Sequence, residues 1–423
     1  MRTSFAVKLI ALVLCMTLLC GCNSVASVEE LLRAPQLSVD AKAVQSALRT
    51  YLGETVQLRY PTQGDFLTPY FFGDWDGDGT TDAAVLYQSS SSVNVQLAVL
   101  TMDENGWRVM SSVEGLSATV DSVRLAKMQE SDAEQIMVGY ATPGDYFLAV
   151  YSLRDGALET VLQQVYSQYA VEDITGDGED DLVVLSSNDA GKTQVQVLIG
   201  EGDGFTQLPL IELSEKQFSG CASLAVGKGE QNNHYLVLDG WASVSGQTLA
   251  SAMFRYDAEN QRMMMAKLIG TTNLYEDSVR YAPCLTSRDL DGDGVVEIPT
   301  QTEATGQLGV ASGKRYSFVQ WMDFTRRPSE KSFGLLDESY CIYLELPQRW
   351  EGNLLLVESM NDILELYNQT GDELRLRLRV TDEPAVNGWH TIGLAASHQV
   401  QVQLGADVDY LTLADLRSGL YFL

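Results

Sequence analysis

The chain is poor in cysteine, histidine and positive charge, and each shortage removes a class of protein. Of 423 residues only 6 are Cys and 3 are His. Cys15, Cys20 and Cys22 crowd the N-terminus, which leaves Cys221, Cys284 and Cys341. Their spacing fits no zinc pattern, and an odd number cannot build a complete disulfide framework. Cys221 and Cys284 sit in apolar, strand-like stretches and are expected as small core residues. With imidazoles only at His234, His390 and His398, and with no G-x-S-x-G, H-E-x-x-H or phosphate-loop sequence, no catalytic motif is found. The chain is therefore read as a non-enzyme. Basic residues number 28 against 57 acidic ones, a formal net charge of −29. Nucleic acid, which demands a basic footprint, is excluded as a partner; cations are attracted instead. Long apolar runs are missing too. Residues 9–19, interrupted by Thr17, fall short of the about 20 apolar residues that span a bilayer.

What the chain does have is an internal repeat. Three acidic segments align: 74–82, 173–181 and 289–297. Each is entered from an extended stretch and left through an apolar run such as Ala83-Ala84-Val85-Leu86. Between them, 123–140 and 224–240 keep the strand, loop and strand but lose the carboxylates. The last loop positions are Asp82, Glu134, Asp181, His234 and Glu297. They recur at roughly fifty residues, the period of a four-stranded propeller blade. Later strand signals, joined by turns such as Asp103-Glu104-Asn105-Gly106, complete units of four short strands. The fold class expected is all-β, a β-propeller of four-stranded blades, five visible and up to seven possible.

The loops carry metal-site chemistry. A calcium loop offers oxygens at positions 1, 3, 5, 7 and beyond, with a backbone carbonyl at 7 and glycine at 6 for the sharp turn. The first loop supplies Asp74, Asp76, Asp78, the Thr80 carbonyl and Asp82, with Gly79 at position 6. The last supplies Asp289, Asp291, Asp293, the Val295 carbonyl and Glu297 around Gly294. The middle one supplies Asp173, Thr175, Asp177, the Glu179 carbonyl and Asp181 around Gly178. Thr175 replaces a charged ligand, so affinity for Ca²⁺ is expected to fall in the order 74–82, 289–297, 173–181. An EF-hand would need Glu at position 12 and helical flanks; Val85, Val184 and Thr300 stand there instead.

The pattern Asp-x-Asp-x-Asp-Gly-x-x-Asp between strands resembles the FG-GAP/VCBS repeat of integrin-type β-propellers, which implies Ca²⁺ in the loop joining a blade's first two strands. The N-terminus adds a second resemblance. Arg2 and Lys8 precede the apolar run, which ends in Leu19-Cys20-Gly21-Cys22. This is a secretory signal closing on a sequence similar to the lipobox of bacterial lipoproteins, in which the Cys is lipidated and becomes the mature N-terminus. The order of signal, lipobox, helix and acidic loop is similar to VCBS-repeat lipoproteins of Gram-positive anaerobes. The expected organisation is a signal peptide over 1–22, a tether over 23–37 and an N-terminal helix over 38–54. A propeller over 55–338 follows, then a small β-rich domain or degenerate blades over 339–423. The helix is read from apolar residues at helical spacing, Val44, Ala47, Leu48, Tyr51 and Leu52. The function expected is a calcium-stabilised binding or scaffold module on the extracytoplasmic face of the cell membrane, with an extracellular protein or glycan as partner. The alternative is an envelope-bound polysaccharide hydrolase or lyase, whose carboxylate pair 57 acidic residues would conceal.

Cys22→Ala is expected to leave the protein unprocessed or free of the membrane. Palmitate labelling with cell fractionation checks this, and label entering the variant would refute the anchor.

Overall fold

The computed structural model describes residues 39–423 except 54–55, 130–132, 189–190, 203, 215, 230–232, 243–246, 271–272, 304–305, 308–314, 360–361 and 406–410. Cys22 and the tether lie outside the described residues. The chain is all-β apart from short helices and forms successive sheets, of which the first four are antiparallel and built mainly as meanders of neighbouring strands. The first holds Tyr70–Gly73, Asp82–Gln88, Gln96–Asp103 and Gly106–Glu114, with Gln57–Leu58 also on Asp82–Gln88. The second holds Thr119–Ala126, Gln135–Ala141, Tyr146–Arg154 and Ala157–Tyr166. The third holds Gln168–Glu172, Asp181–Ser187, Thr193–Glu201 and Gly204–Gln207. The fourth holds Phe218–Lys228, His234–Ala242, Leu249–Asp257 and Arg262–Met265. These are the blades that the repeat marks out, and the architecture is that of a β-propeller whose sheets do not close into a ring.

The apolar runs that follow the loops have a packing reason. Side chains alternate across a strand, and here both faces are covered. From Asp82–Gln88, Ala84 and Leu86 pack on the second sheet, while Ala83, Val85 and Tyr87 pack the other way. Met137, Leu148 and Val150 of the second sheet meet Leu182, Val184 and Leu198 of the third. Val183, Leu185 and Val197 in turn meet Leu236, Leu238 and Ala252 of the fourth. Fully burying one such Val or Leu contributes about 1.5–3 kcal/mol, so the stack is held by one apolar layer per seam.

Both ends of the stack are finished differently. The helix Val39–Leu52 covers the outer face of the first sheet through Ala41, Val44 and Leu48. Tyr51, in the last turn of the same apolar stripe, is 61% exposed. At the other end, a sixth sheet, with Leu354–Ser359, Ile363–Asn368, Leu374–Thr381, His398–Leu404 and His390–Ala395 as its main strands, packs Leu356, Leu366, Leu376 and Val400 onto the fifth. Its alternate positions carry Arg377, Arg379 and Gln401, bonded among themselves and to Glu365 and Gln403. A polar final face is what the end of a stack requires.

The expected boundary at 338/339 falls inside the fifth sheet. Ile342–Leu346 pairs with Ser329–Asp337, which continues through Tyr316–Asp323 to Ile298–Glu303. The C-terminal strand Leu420–Phe422 then returns to pair with Ile342–Leu346, so 339–423 is laced into the fifth sheet. Near the C-terminus the helix Leu413–Ser418 is fixed by a Thr412/Asp415 capping box. His390–Ala395 forms an edge strand that pairs with His398–Leu404.

Between the fourth and fifth sheets the meander breaks. The fifth sheet's first strand is reduced to one bridge, Arg288 to Glu297, and Arg280 bridges back to Leu249. A buried ion pair holds this irregular segment. Arg280 and Asp239 are both 0% exposed, with Arg280 Nη2 2.6 Å from Asp239 Oδ1. Asp239 also accepts from the hydroxyls of Ser223, Ser251 and Ser287. Although burial raises its pKa, Arg280 and these donors more than offset it and hold the Asp239 carboxyl below its ordinary range. Arg280→Met would strand a buried, unpaired carboxylate. The expected cost is about 3–5 kcal/mol in urea unfolding, with the Arg280→Met/Asp239→Leu double variant recovering part of it.

Candidate functional site

The three acidic loops share one internal geometry. Position 1 accepts from the N–H groups of positions 4 and 6: Gly77 and Gly79 on Asp74, Gly176 and Gly178 on Asp173, Gly292 and Gly294 on Asp289, at 2.6–3.0 Å. All six glycines have φ between 76° and 96°, the left-handed region that side chains resist. Position 5 accepts from the N–H of position 7, as in Thr80 to Asp78, Glu179 to Asp177 and Val295 to Asp293. Position 2 turns inward. Trp75 and Ile174 are 1% exposed in the seams between sheets, and Leu290 is partly buried. Their N–H groups donate to the carboxylate at position 9, Trp75 to Asp82 at 3.4 Å, Ile174 to Asp181 and Leu290 to Glu297 both at 2.9 Å. Position 2 is the functional detail missed from the sequence; one apolar residue between acids in all three loops is the signal that could have found it.

Position 9 is where the electrostatics concentrate. Asp82 and Glu297 are 0% exposed and Asp181 2%. Burial pushes the carboxyls of Asp181 and Glu297 up to about 7. Burial raises Asp82 as well, with the charges of Asp76 and Asp78 adding and the Thr101 hydroxyl opposing. Asp82 Oδ1 and Glu297 Oε1 are buried without a hydrogen-bond partner. A buried carboxylate oxygen left so is costly, and it is where a cation would repay the most.

The loops differ in what they gather. Carboxylate oxygens of Asp74, Asp76 and Asp78 lie within 4.8 Å of one another, as do those of Asp289, Asp291 and Glu297. The middle loop assembles no such trio among the described residues. There the Thr175 N–H adds a second bond to Asp181, at 2.8 Å. In the last loop Asp293 stands outside the trio, and Lys331, from the fifth sheet, places Nζ 2.6 Å from Asp293 Oδ2. That bond holds Asp293 below the ordinary carboxylate range. The residues fit a hard cation with oxygen ligands, best in the first loop and the last.

Neighbouring blades brace the loops. Glu134 N donates to Asp74 O, Asp180 N to Lys127 O and Lys228 N to Gly294 O. In the blades that lack the acidic pattern, Lys127, Glu134 and Lys228 thus wall the acidic loops with their backbone. A cleft of about 480 Å³ opens beside the middle loop, lined by Thr175, His234, Arg255, Tyr256, Asp257 and Glu259 among others.

No family model matches the chain, and no curated protein matches it. Among solved structures, a rhamnogalacturonan lyase from Bacillus licheniformis is similar at 12% identity and a TM-score of 0.31, over 76% of this chain and 71% of that one. The Dos1 propeller gives 9% and 0.26 over 83% and 92%. TolB from Acinetobacter baumannii gives 12% and 0.23 over 79% and 65%. Likenesses at this level carry no functional weight.

In the metal-free protein, Asp181 and Glu297 hold protons more tightly folded than unfolded. Their contribution to stability is full below about pH 4 and is lost as pH rises to about 7. In chelator, Glu297→Gln is expected to lose less melting temperature than the wild type between about pH 5 and about pH 7.5. An identical decline in both proteins would contradict the shift.

Proposed function

We propose that this chain is a calcium-stabilised, FG-GAP/VCBS-type binding or scaffold module of the cell envelope. It is anchored to the extracytoplasmic face of the membrane through lipidated Cys22 and engages an extracellular protein or glycan. One observation carries the metal half of this reading: the buried, unpartnered oxygens Asp82 Oδ1 and Glu297 Oε1, set behind clustered acidic loops. Hydrogen bonds within a turn account for positions 1 and 5; they leave position 9 without a charge partner. Ca²⁺ would be held by Asp74, Asp76, Asp78, the Thr80 carbonyl and Asp82. The last loop would use Asp289, Asp291, Asp293, the Val295 carbonyl and Glu297. The middle loop would use Asp173, Thr175, Asp177, the Glu179 carbonyl and Asp181. The ion would neutralise carboxylates that otherwise repel one another and would fix the rim on which the blades meet. The anchoring half rests on Leu19-Cys20-Gly21-Cys22 and the run before it. The partner half is supported by the acidic body, which disfavours nucleic acid, and by the polar cleft beside the middle loop, where Tyr256 offers a ring flanked by Arg255 and Asp257.

Cation binding to the folded loops alone stabilises by about 1.4 kcal/mol per site at ten times Kd, and extracellular modules bind Ca²⁺ at about 10⁻⁴–10⁻³ M. Millimolar Ca²⁺ should therefore raise the melting temperature over chelator, and Asp78→Ala should remove more of the rise than Asp177→Ala. By calorimetric titration, Lys331→Met should bind Ca²⁺ several-fold more tightly at the last loop, since no ammonium then holds Asp293. Superimposable melting curves with and without Ca²⁺ would overturn the metal reading.

A further inference from the structure

Two cysteines separated by more than fifty residues meet at the edge of the fifth sheet. Cys284 is not in a strand, as its surroundings suggested, but in a turn of the irregular segment that leads into the last acidic loop. Cys341 closes the turn between Ser329–Asp337 and Ile342–Leu346, with φ 51°. Independent contacts bring the two turns together. Cys284 packs against the cluster containing Leu336 and Tyr343, which flank the Cys341 turn. The backbone N–H of Ala282 donates to Gln301 Oε1, and Gln301 Nε2 donates to Glu338 Oε1 at 2.8 Å. Cys341 Sγ in turn lies 3.9 Å from Glu338 O. The Cys341 thiol and Glu338 are among the groups that act on the Cys284 thiol. Both residues are partly exposed and both are free. Cys221, by contrast, sits in the strand Phe218–Lys228 with its thiol directed at the Ser223 and Asp239 carbonyls, at 3.2 and 3.3 Å.

We infer that Cys284 and Cys341 form an oxidation site that closes to an intramolecular disulfide. The oxidant is a disulfide donor of the thiol–disulfide exchange class. A thiolate of the pair attacks the donor disulfide, forms a mixed disulfide and releases one donor thiol. The second sulfur of the pair then displaces the other donor sulfur. Two thiols lose two protons and two electrons, and the donor disulfide gains them as two thiols. The bond would clip the segment preceding Asp289 to the turn of the fifth sheet and close a loop of roughly 57 residues, which constrains the unfolded chain. Burial, with the neighbouring Cys341 adding, pushes the Cys284 thiol up to about 12. The closing step should therefore accelerate with pH. An extracytoplasmic location would supply oxidising conditions, but the pairing itself depends on neither the anchor nor the metal.

The test is incubation of the full chain with oxidised glutathione, followed by non-reducing peptide mapping by mass spectrometry and a melting curve. The expected result is one cross-linked peptide joining Cys284 to Cys341, lighter by two hydrogens, with a melting temperature raised by several degrees and restored by reductant. Cys221→Ser should behave as the wild type. Cys341→Ser should give no cross-link, and Cys284→Ala serves the same purpose if that variant fails to fold. Separate glutathione adducts on Cys284 and Cys341 in the wild-type chain, or no modification at either, would overturn the inference.

Discussion

Each acidic loop hangs on one buried carboxylate at its ninth position. Asp82, Asp181 and Glu297 begin the strands that follow the loops or immediately precede them, and each accepts the N–H of an apolar residue plugged into the seam. The loop backbone is irregular and cannot satisfy itself by sheet pairing, so its N–H groups must find side-chain acceptors. Acidic residues at positions 1, 5 and 9 provide them. The same arrangement places negative charge where water is scarce. The protein answers with the raised proton affinity of Asp181 and Glu297 and, at the last loop, with the ammonium of Lys331. A divalent cation would do the same work at every loop, and with more charge.

The blades that lost their carboxylates show the constraint from the other side. Lacking the acidic ligand pattern, these blades meet their acidic neighbours through the backbone at Lys127, Glu134 and Lys228. Close approach leaves little room. A Cβ at Gly227 would meet Val296 and the Gly294 carbonyl, and one at Gly73 would meet Glu134 and Trp75. Acidic and degenerate loops are thus two halves of one rim, which explains why the carboxylates can be missing from alternate blades.

Where the repeat breaks, a different interaction takes over. The segment 280–288 has almost no sheet pairing, and the Asp239–Arg280 pair with its serines supplies the order that strands supply elsewhere. A buried pair of this kind adds little over an apolar replacement but is costly to break. Its value is positional: it sets the direction in which the chain enters the last acidic loop. The C-terminal strand Leu420–Phe422 then covers the edge of Ile342–Leu346, so the last part of the chain cannot be detached from the blade before it.

The repeat, the strand alternation and the loop register were legible in the sequence because each is local. Asp at positions 1 and 5, Gly at 4 and 6 and an apolar run after position 9 dictate a turn and a doubly buried strand without reference to distant residues. The helix at 39–52 was legible for the same reason, though not the exposure of Tyr51, which depends on where the first sheet lies. The boundary at 338 falls inside the hairpin of Ser329–Asp337 and Ile342–Leu346, and only the pairing of Leu420–Phe422, some eighty residues distant, depends on the tertiary fold. Lys331 at Asp293, Arg280 at Asp239 and Cys341 at Cys284 carry no sequence signal at all, since each pair is joined only when sheets stack. Sequence alone determined the secondary structure and the acidic turn geometry of the loops, through steric limits on φ and the period of side-chain burial. Tertiary structure decided which carboxylates are buried, which cations and thiols face them, and hence which loop can hold charge, because desolvation and pairing arise only from packing.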